Sequence, residues 1–491
     1  MKIIFISPET KNGLLGKRGP GNFNIKKYGG APLALPTLAA LTPSDVEVKI
    51  IDENVEPINF DEEVDLVGIS FSVSSVLRAY DIADKFKKRK VPVILGGIYA
   101  SMLPNEAILH ADSIVIGEAE NIWPKVVADW SLKKLEKFYV CKEEVKLSGS
   151  IIPRWDLLKT DLYNYFPIQT TRGCPFDCDF CSVTWFFGGK YRHKSIEIVT
   201  EEIKFLKRID KNKLIFFVDD NIVADFEYSK KLFKNLIPLN IKWFSQAPVS
   251  VAKDDELLKL MHESGCRELF IGFESLSQDS IDKIGKGRIN KVEEYKKIIE
   301  KIHSYGISVF GSFMLGCEHD EEAIFKQTVK FINENNMPFS LINILVPPPG
   351  TRLFQKLEKE GRILHKNWDK YTGEYVCFEP SRMSKETLQK GYCWVLNQIY
   401  NYDILYKRIK NWWRRISFHK KRKVFFKNGF YLLSKFLFSI KVIFYCKKDK
   451  ERVKYVLKTL WSEKSLPISI VLLSLQFHDY SIEFPKKLYK I

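Results

Sequence analysis

The chain alternates short apolar runs with amphipathic stretches. KIIFIS (Lys2 to Ser7), VEVKIID (Val46 to Asp52), DLVGISFS (Asp65 to Ser72), VPVILGG (Val91 to Gly97) and DSIVIGE (Asp112 to Glu118) are short, apolar and rich in β-branched residues. Between them, SVLRAYDIADKFKKRK sets Leu77, Tyr80, Ile82, Ala83 and Phe86 at roughly helical spacing. Near-continuous apolar strands alternating with helices predict a parallel sheet covered on both faces. Such a sheet binds ligands beyond the carboxyl ends of its strands. Ser70, Ser72, Ser74, Gly96, Gly97, Gly117 and Glu118 fall there.

After a less regular stretch the alternation resumes with six further strands: Phe166 to Thr171, Lys213 to Asp219, Ile241 to Ala247, Glu268 to Glu274, Ser308 to Leu315 and Leu341 to Val346. Helical segments such as SIEIVTEEIKFLKR and DDELLKLMHESG separate them. Six β–α units in series predict an incomplete barrel whose chemistry sits at the C-terminal strand ends. Past Arg362 the sequence turns basic, aromatic and helix-like. The expected α/β organisation is a Rossmann-like (flavodoxin-like) domain at 1–135 and a connector at 136–164. A partial (β/α)6 TIM-type barrel at 165–362 and a mostly helical extension at 363–491 follow.

Composition changes this picture in two places. Of 491 residues, 77 are Lys or Arg and 60 are Asp or Glu, a net charge of +17. From Asn401 onward there are 22 basic residues against six acidic ones, which leaves 55 against 54 in the first 400. The basicity therefore describes a tail surface and not the body. The N-terminus offers an apolar run too short for a secretory signal, so the expected compartment is the cytoplasm. There, cysteines grouped at short spacing are more often metal ligands or catalytic groups than disulfides.

Three cysteines stand together in TTRGCPFDCDFCSV, directly after the first barrel strand, as C-x3-C-x2-C: Cys174, Cys178 and Cys181. Gly173 and Pro175 supply the turn chemistry. A structural zinc site needs four ligands, and no fourth Cys or His follows within the loop. A [4Fe–4S] cluster usually takes four cysteines, so three leave one iron open to bind a substrate directly. Core packing, or a zinc loop completed from afar, is the competing reading. Asp219, Asp220 and Asn221 end the second barrel strand, and Gly272 and Glu274 end the fourth. Helix capping and a solvated acid are their plain explanations. Cys317, just past the fifth strand, either touches a substrate or is a small buried hydrophobe.

The cysteine loop, with Phe180 before its last cysteine, resembles that of radical S-adenosylmethionine (SAM) enzymes, and the resemblance extends over the six β–α units. It implies that the open iron chelates the amino and carboxylate groups of SAM. One electron, from a donor such as flavodoxin or ferredoxin, then cleaves SAM to a deoxyadenosyl radical that takes hydrogen from a substrate. Asp219, Asp220 and Asn221 resemble the polar stretch beside the SAM methionyl group. Gly272 and Glu274 resemble a SAM-binding Gly-x-Glu, and PPPGT (Pro347 to Thr351) a further family feature that also reads as a rigid turn.

GGAPLALPTLAAL, GISFS, ILGGIYASMLPNEA and DSIVIGEAE resemble the cobalamin-binding domain that precedes the barrel in one branch of this superfamily. The resemblance implies cobalamin near Ser70, Ser72, Ser74, Gly96, Gly97, Gly117 and Glu118. The D-x-H-x-x-G motif that would ligate cobalt is absent, so the lower face is empty or covered by a non-histidine group. Only Cys141 precedes Cys174, too few for the extra cluster of methylthiotransferases.

Residues Phe378 to Tyr400 resemble the C-terminal extension of proteins that include hopanoid methylases. The implied activity is C-methylation of an unactivated carbon in a lipid or other apolar small molecule, with methylcobalamin as methyl donor and a second SAM to restore it. Ring formation or rearrangement is the alternative, and a cobalamin sensor with a nucleic-acid-binding tail the contrasting one. In the tail, aromatic and basic residues interleave from Asn411 to Lys448. Val453, Val456, Leu457 and Leu460 make a helical stripe flanked by Lys454 and Lys458. That pattern suits peripheral contact with the anionic inner face of a membrane, then packing on the protein itself, and last nucleic acid.

Overall fold

The computed structural model describes residues 1–10, 28–149, 151–418, 435–439, 449–462 and 466–489. The first strand, β1 (Lys2–Ser7), and the short β2 (Tyr28–Gly30) belong to different sheets. With β3 (Glu47–Asp52), β4 (Leu66–Ser70), β5 (Val93–Gly96), β6 (Ser113–Ile116) and β7 (Phe138–Val140), β1 forms a six-stranded sheet in the order β3-β1-β4-β5-β6-β7. Every pairing in it is parallel. This is the flavodoxin-like order, extended by one edge strand. The continuous apolar run of β1 has a physical reason. Ile3 and Phe5 point to the face covered by helices Ala34–Leu41 and Trp123–Ser131, while Ile4 and Ile6 meet helix Val76–Lys88 on the other. All four side chains are fully buried.

The second sheet holds β8 (Tyr163–Ile168), β11 (Leu214–Phe217), β12 (Trp243–Ala247), β13 (Cys266–Glu274), β14 (Ser308–Leu315) and β15 (Ser340–Ile344). Its order is β15-β14-β13-β12-β11-β8-β2, all parallel and open between β2 and β15. This is the curled half-barrel that six β–α units predict, and β2 is lent to it from the N-terminal segment. Two short strands, β9 (Thr171–Arg172) and β10 (Arg192–His193), pair antiparallel and close the base of the cysteine loop.

Alternation along the barrel strands puts Tyr165, Phe216, Phe244, Phe270 and Phe310 on one inward level. Adjacent rings lie 5.6, 4.5, 6.0 and 4.5 Å apart. Above them, toward the strand ends, the residues two positions on are smaller or polar, among them Gln246, Gly272 and Ser312. The floor of the barrel is therefore aromatic and its mouth polar.

Helices Lys385–Ile399, Tyr402–Phe418, Lys450–Ser462 and Ile468–Tyr489 form the C-terminal extension. Phe477 of the last helix stacks on Phe339, 5.2 Å away, and contacts Phe310 of the aromatic level at 6.0 Å. In helix Lys450–Ser462, Val456 and Leu460 are fully buried in the protein's own core. The stripe predicted for a membrane surface is a packing face there, because the apolar side of the helix lies on the rest of the extension. Residues 419–434 and 440–448, which carry most of the basic aromatic segment, lie outside the described residues. Among the described residues no helix is long and apolar enough to cross a membrane.

Candidate functional site at the strand ends

The cysteine loop is held from three sides. At its base, Gly173 has φ +84°, and a Cβ there would stand 2.1 Å from the Lys190 carbonyl oxygen. Only glycine lets the two arms meet so closely. From the second strand, Asp219 is fully buried, and its carboxylate accepts the Thr170 and Thr171 amides at 2.7 Å each and the Thr170 hydroxyl at 2.6 Å. Burial pushes this carboxyl up to about 6 despite those bonds. From the sixth strand comes the PPPGT turn, whose Thr351 caps helix Arg352–Lys359. Arg352 then donates to Asp177 at 2.7 Å and Asp179 at 2.8 Å within the cysteine loop. The turn is thus rigid, and it also braces the loop.

Cys174, Cys178 and Cys181 are all free thiols. Burial raises the pKa of each, and each interacts electrostatically with another of the three. Cys178 is pushed up to about 12, with Lys286 opposing the rise. Asn221 directs its amide at Cys174 Sγ over 3.9 Å, and Asp220 lies close enough to Cys174 and Cys181 to raise them. Among the described residues no three His, Cys, Asp or Glu side chains gather as ligands of a single ion would. Cysteines of a four-iron cluster bind different irons and need not converge on one point. Three thiols on one tight loop are a donor set that suits a four-iron cluster with one iron left open, and no closed zinc set is found among the described residues.

Glu274 has φ +65°, sits at a bulge in β13 and pairs with Lys286 in a short ion pair. A Cβ at Gly272 would stand 2.2 Å from Glu274 Oε1 and 3.1 Å from Lys286 Nζ. The Gly-x-Glu spacing thus lets the glutamate fold back over the strand. Burial works against the Lys286 cation, but Glu274 and the cysteines outweigh it and raise its pKa. Glu274 is 7% exposed, so it is not a solvated acid. The Asp-Asp-Asn stretch is not a cap either, since Asp225 caps the following helix. Cys317 is buried, 2% exposed, its amide bonded to Asp320, which is the packing reading.

Beyond the first sheet's carboxyl ends lies a cavity of about 700 Å³. Ser70, Ser72, Gly96, Gly97, Gly117 and Glu118 line one side, and Gln169, Arg172, Phe186, Phe187 and Lys194 of the barrel line the other. Its size suits a cofactor. Gly97 (φ +96°) lies where a Cβ would come 2.8 Å from the Phe71 carbonyl oxygen. No histidine is among the lining residues. Arg172 and Arg192 both pair with Glu118, and Arg172 also with Glu120, tying this edge to the cysteine loop. Ser74 departs from expectation. The chain turns into a short 3-10 helix at Val73–Ser75 and carries Ser74 to a second cavity.

A sequence model of the radical SAM superfamily matches residues 168–332, and one for a domain of unknown function (DUF4070) matches 351–479. Over 368 residues the chain is 31% identical to the bacteriochlorophyllide d C-8(2)-methyltransferase of Chlorobaculum tepidum, covering 71% of this chain and 81% of the relative. The chain belongs to the radical SAM superfamily. With the C-12(1)-methyltransferase of the same organism it shares 29% identity over 435 residues, 86% of this chain and 93% of the relative. The solved cobalamin-dependent SAM radical enzyme OxsB, with aqua-cobalamin and SAM bound, has the same fold. Its TM-score is 0.64 at 14% identity, covering 100% of this chain and 80% of that one.

Membership in this radical SAM superfamily brings SAM and a [4Fe–4S] cluster as cofactors. Sequence reasoning missed Lys286, Arg172, Arg192 and Arg352. Each lies in a loop, in a short strand or, for Arg352, at the start of a helix, and has a partner 12 or more positions away. The C-terminal walls of the second cavity were likewise invisible, because they come from segments remote in the chain.

Proposed function

We propose that this radical SAM enzyme is a cobalamin-dependent methyltransferase acting at an unactivated carbon of an apolar acceptor. Cys174, Cys178 and Cys181 are the cluster ligands in this reading, and Asp220, Asn221, Gly272 and Glu274 face SAM. Asp219 acts one step back, by holding the loop. Ser70, Ser72, Gly96, Gly97, Gly117 and Glu118 surround cobalamin. Residues 1–135 are its unit, 136–164 the connector, 165–362 the radical SAM unit and 363–491 the extension.

The observation that carries the reading is the 700 Å³ cavity, bounded by the carboxyl ends of the first sheet and by the flanks of the cysteine loop. When bound, the cluster supplies the electron that cleaves SAM and cobalamin carries the methyl group. The chain's own residues position and shield. Lys286, paired to Glu274, offsets negative charge beside Cys178 and Cys181. Phe186 and Phe187, on the helix that follows Cys181, present apolar rings to the cavity. The Arg172–Glu118 and Arg192–Glu118 pairs tie the loop after β6 to the β9–β10 ribbon at the base of the cysteine loop. Two of the relatives are methyltransferases of bacteriochlorophyllide d, which supports an apolar ring-bearing acceptor.

Anaerobic reconstitution tests this. A broad iron–sulfur absorption band, absent in Cys178→Ala, is expected, together with S-adenosylhomocysteine appearing alongside deoxyadenosine when lipid or pigment extract is supplied. Deoxyadenosine without S-adenosylhomocysteine in every extract would sink methyl transfer and favour ring formation or rearrangement.

A further inference from the structure

One layer of inward positions lies between the aromatic floor of the barrel and the residues that face SAM. Two residues on from Phe216, Phe244, Phe270 and Phe310 come Val218, Gln246, Gly272 and Ser312, and two further on come Asp220 and Glu274. Ser312 is the register partner of both Gly272 and Leu341. Val218 follows Phe217, the partner of Ser245, and so stands next to Gln246.

This layer is open. Gln246 is exposed, although β12 is the central strand of seven and the flanking residues Ser245 and Ala247 are buried. Val218 and Ser312 are partly exposed, and so are Tyr165, Phe216, Phe244 and Phe270 of the floor. Side chains that point into a barrel and still meet solvent border an internal space. That space joins the two cavities. Pro167, Gln169 and Val218 belong to the wall of the larger one, while Tyr165, Leu341 and Asn343 belong to the wall of the second, of about 480 Å³. Tyr165, Pro167 and Gln169 are successive inward positions along β8 and just past its end, so the two cavities meet over the floor.

Below the layer, partly uncovered phenyl faces favour stacked or edge-to-face contact with another π system. Within it, the Gln246 amide can both donate and accept, and so can the Ser312 hydroxyl. Neither side chain is hydrogen-bonded to another described residue. The two residues stand two strands apart, roughly 10 Å along the sheet, a distance that a ring spans with a polar group at its edges. A site built to hydrogen-bond a ligand oxygen rejects compounds that lack it, because the site's own polar groups are then left unpaired.

We propose that Gln246 and Ser312 are the specificity-determining residues for the acceptor. They hydrogen-bond carbonyl or hydroxyl groups at the edge of a flat, unsaturated ring whose face lies on the Phe216–Phe244–Phe270 floor. This deepens the methyltransferase reading and rests on it for the identity of the occupant as acceptor. Depth separates the acceptor from SAM, since Gln246 lies one inward step below the level of Asp220, and Ser312 one step below that of Glu274. A ring held there lies beneath SAM, within the barrel.

The test is equilibrium binding to the full reconstituted chain, with SAM present and no reductant, followed by quenching of protein fluorescence. Bacteriochlorophyllide d is the flat, oxygen-bearing probe, and a saturated pentacyclic triterpenoid alcohol in the same detergent is its counterpart. The chlorin is expected to bind tighter by about tenfold or more. Gln246→Leu, which keeps much of the volume, should weaken the chlorin about tenfold and Ser312→Ala about threefold, with the iron–sulfur band and melting temperature as in wild type. Equal or tighter binding of the alcohol overturns the ring assignment. Unchanged chlorin affinity in Gln246→Leu overturns the role of Gln246. A loss of SAM affinity in that variant as large as the loss for the chlorin overturns it too, by placing Gln246 against SAM. S-adenosylhomocysteine, measured after reductant is added, separates this inference from the reading it rests on. Chlorin binding that depends on Gln246, without S-adenosylhomocysteine, refutes methyl transfer and keeps the site. Methyl transfer in pigment extract with chlorin affinity unaffected by either variant refutes the site alone.

Discussion

Asp219 offers the sharpest test of how the cysteine loop is built. Replacing it by Ala removes the acceptor shared by two buried amides, Thr170 and Thr171. Each orphaned donor costs about 1–3 kcal/mol, so roughly 2–6 kcal/mol is at stake. Asp219→Asn keeps that acceptor, and its new amide can donate to the Thr170 hydroxyl, which is free to turn. The two variants must also differ from wild type in pH dependence. Burial raises the Asp219 carboxyl from its ordinary 3.8 to about 6, so the folded state holds the proton more tightly than the unfolded chain. The group's stabilisation is therefore complete below about pH 4 and is lost as pH rises through 6, a change of about 3 kcal/mol. Asp220, pushed up to about 7 by burial and then by Asp219, relaxes when that charge is removed and adds in the same direction.

Urea unfolding of the apoprotein at pH 5, 6.5 and 8 measures all of this. Asn should cost at most about 1 kcal/mol at pH 5 and be neutral or stabilising at pH 8, and Ala should lie below Asn at every pH by roughly the amide cost. If Asn is as damaging as Ala, or if wild type gains on Asn as pH rises, the carboxylate does not anchor the loop through these bonds.

Arg172→Ala strips Glu120 of its partner and Glu118 of one of two, in a site where the side chains are 10–21% exposed. A loss of about 2–4 kcal/mol in thermal or urea unfolding is expected, with Arg172→Lys intermediate. Glu106→Ala removes the common acceptor of Tyr80, Tyr99 and Trp368, at 3.0–3.1 Å, and so loosens the extension from the first sheet. It should cost about 2–4 kcal/mol and raise proteolytic cleavage near Trp368. Arg352→Ala should change global stability by less than about 1 kcal/mol, because Arg352 is half exposed. It should still slow cluster reconstitution, read as the rise of the iron–sulfur band, since it frees Asp177 and Asp179 of the cysteine loop.

All eleven strands anticipated from apolar runs are present, and their legibility has a simple cause. In the first sheet, covered on both faces, the central strands β1 and β4 are buried almost throughout and read as continuous apolar runs. In the half-barrel, strands such as β11 and β15 alternate buried with partly exposed positions, but apolar residues occur in both sets. The strands that escaped notice break that condition. β2 is Tyr-Gly-Gly, with Gly30 needed because the Tyr165 ring would lie 2.2 Å from any Cβ there. β7 is an edge strand of three residues that carries a mid-exposed pattern. β9 and β10 have two residues each and exist only because the cysteine loop must be closed at its base.

The site divides along a similar line. Residues whose role follows from being at a strand end were legible, since the topology alone collects Cys174, Asp219 and Gly272 at one rim. Charges that act across elements were not, because Arg172 meets Glu118 and Arg352 meets Asp177 only after folding, 54 and 175 residues apart. The extension is the extreme case. Its basic composition drew attention to an outward surface, yet the residues that pack it together, Glu374, Tyr392 and Tyr480, lie in stretches without unusual charge. What links them is a chain of two phenols and a carboxylate assembled from segments 88 and 106 residues apart. A half-barrel leaves one side open by construction, between β2 and β15. The Tyr392–Tyr480–Glu374 chain thus fixes the last helix on helix Lys385–Ile399, and Tyr480→Phe, which breaks both of its bonds, should cost about 1–3 kcal/mol in urea unfolding.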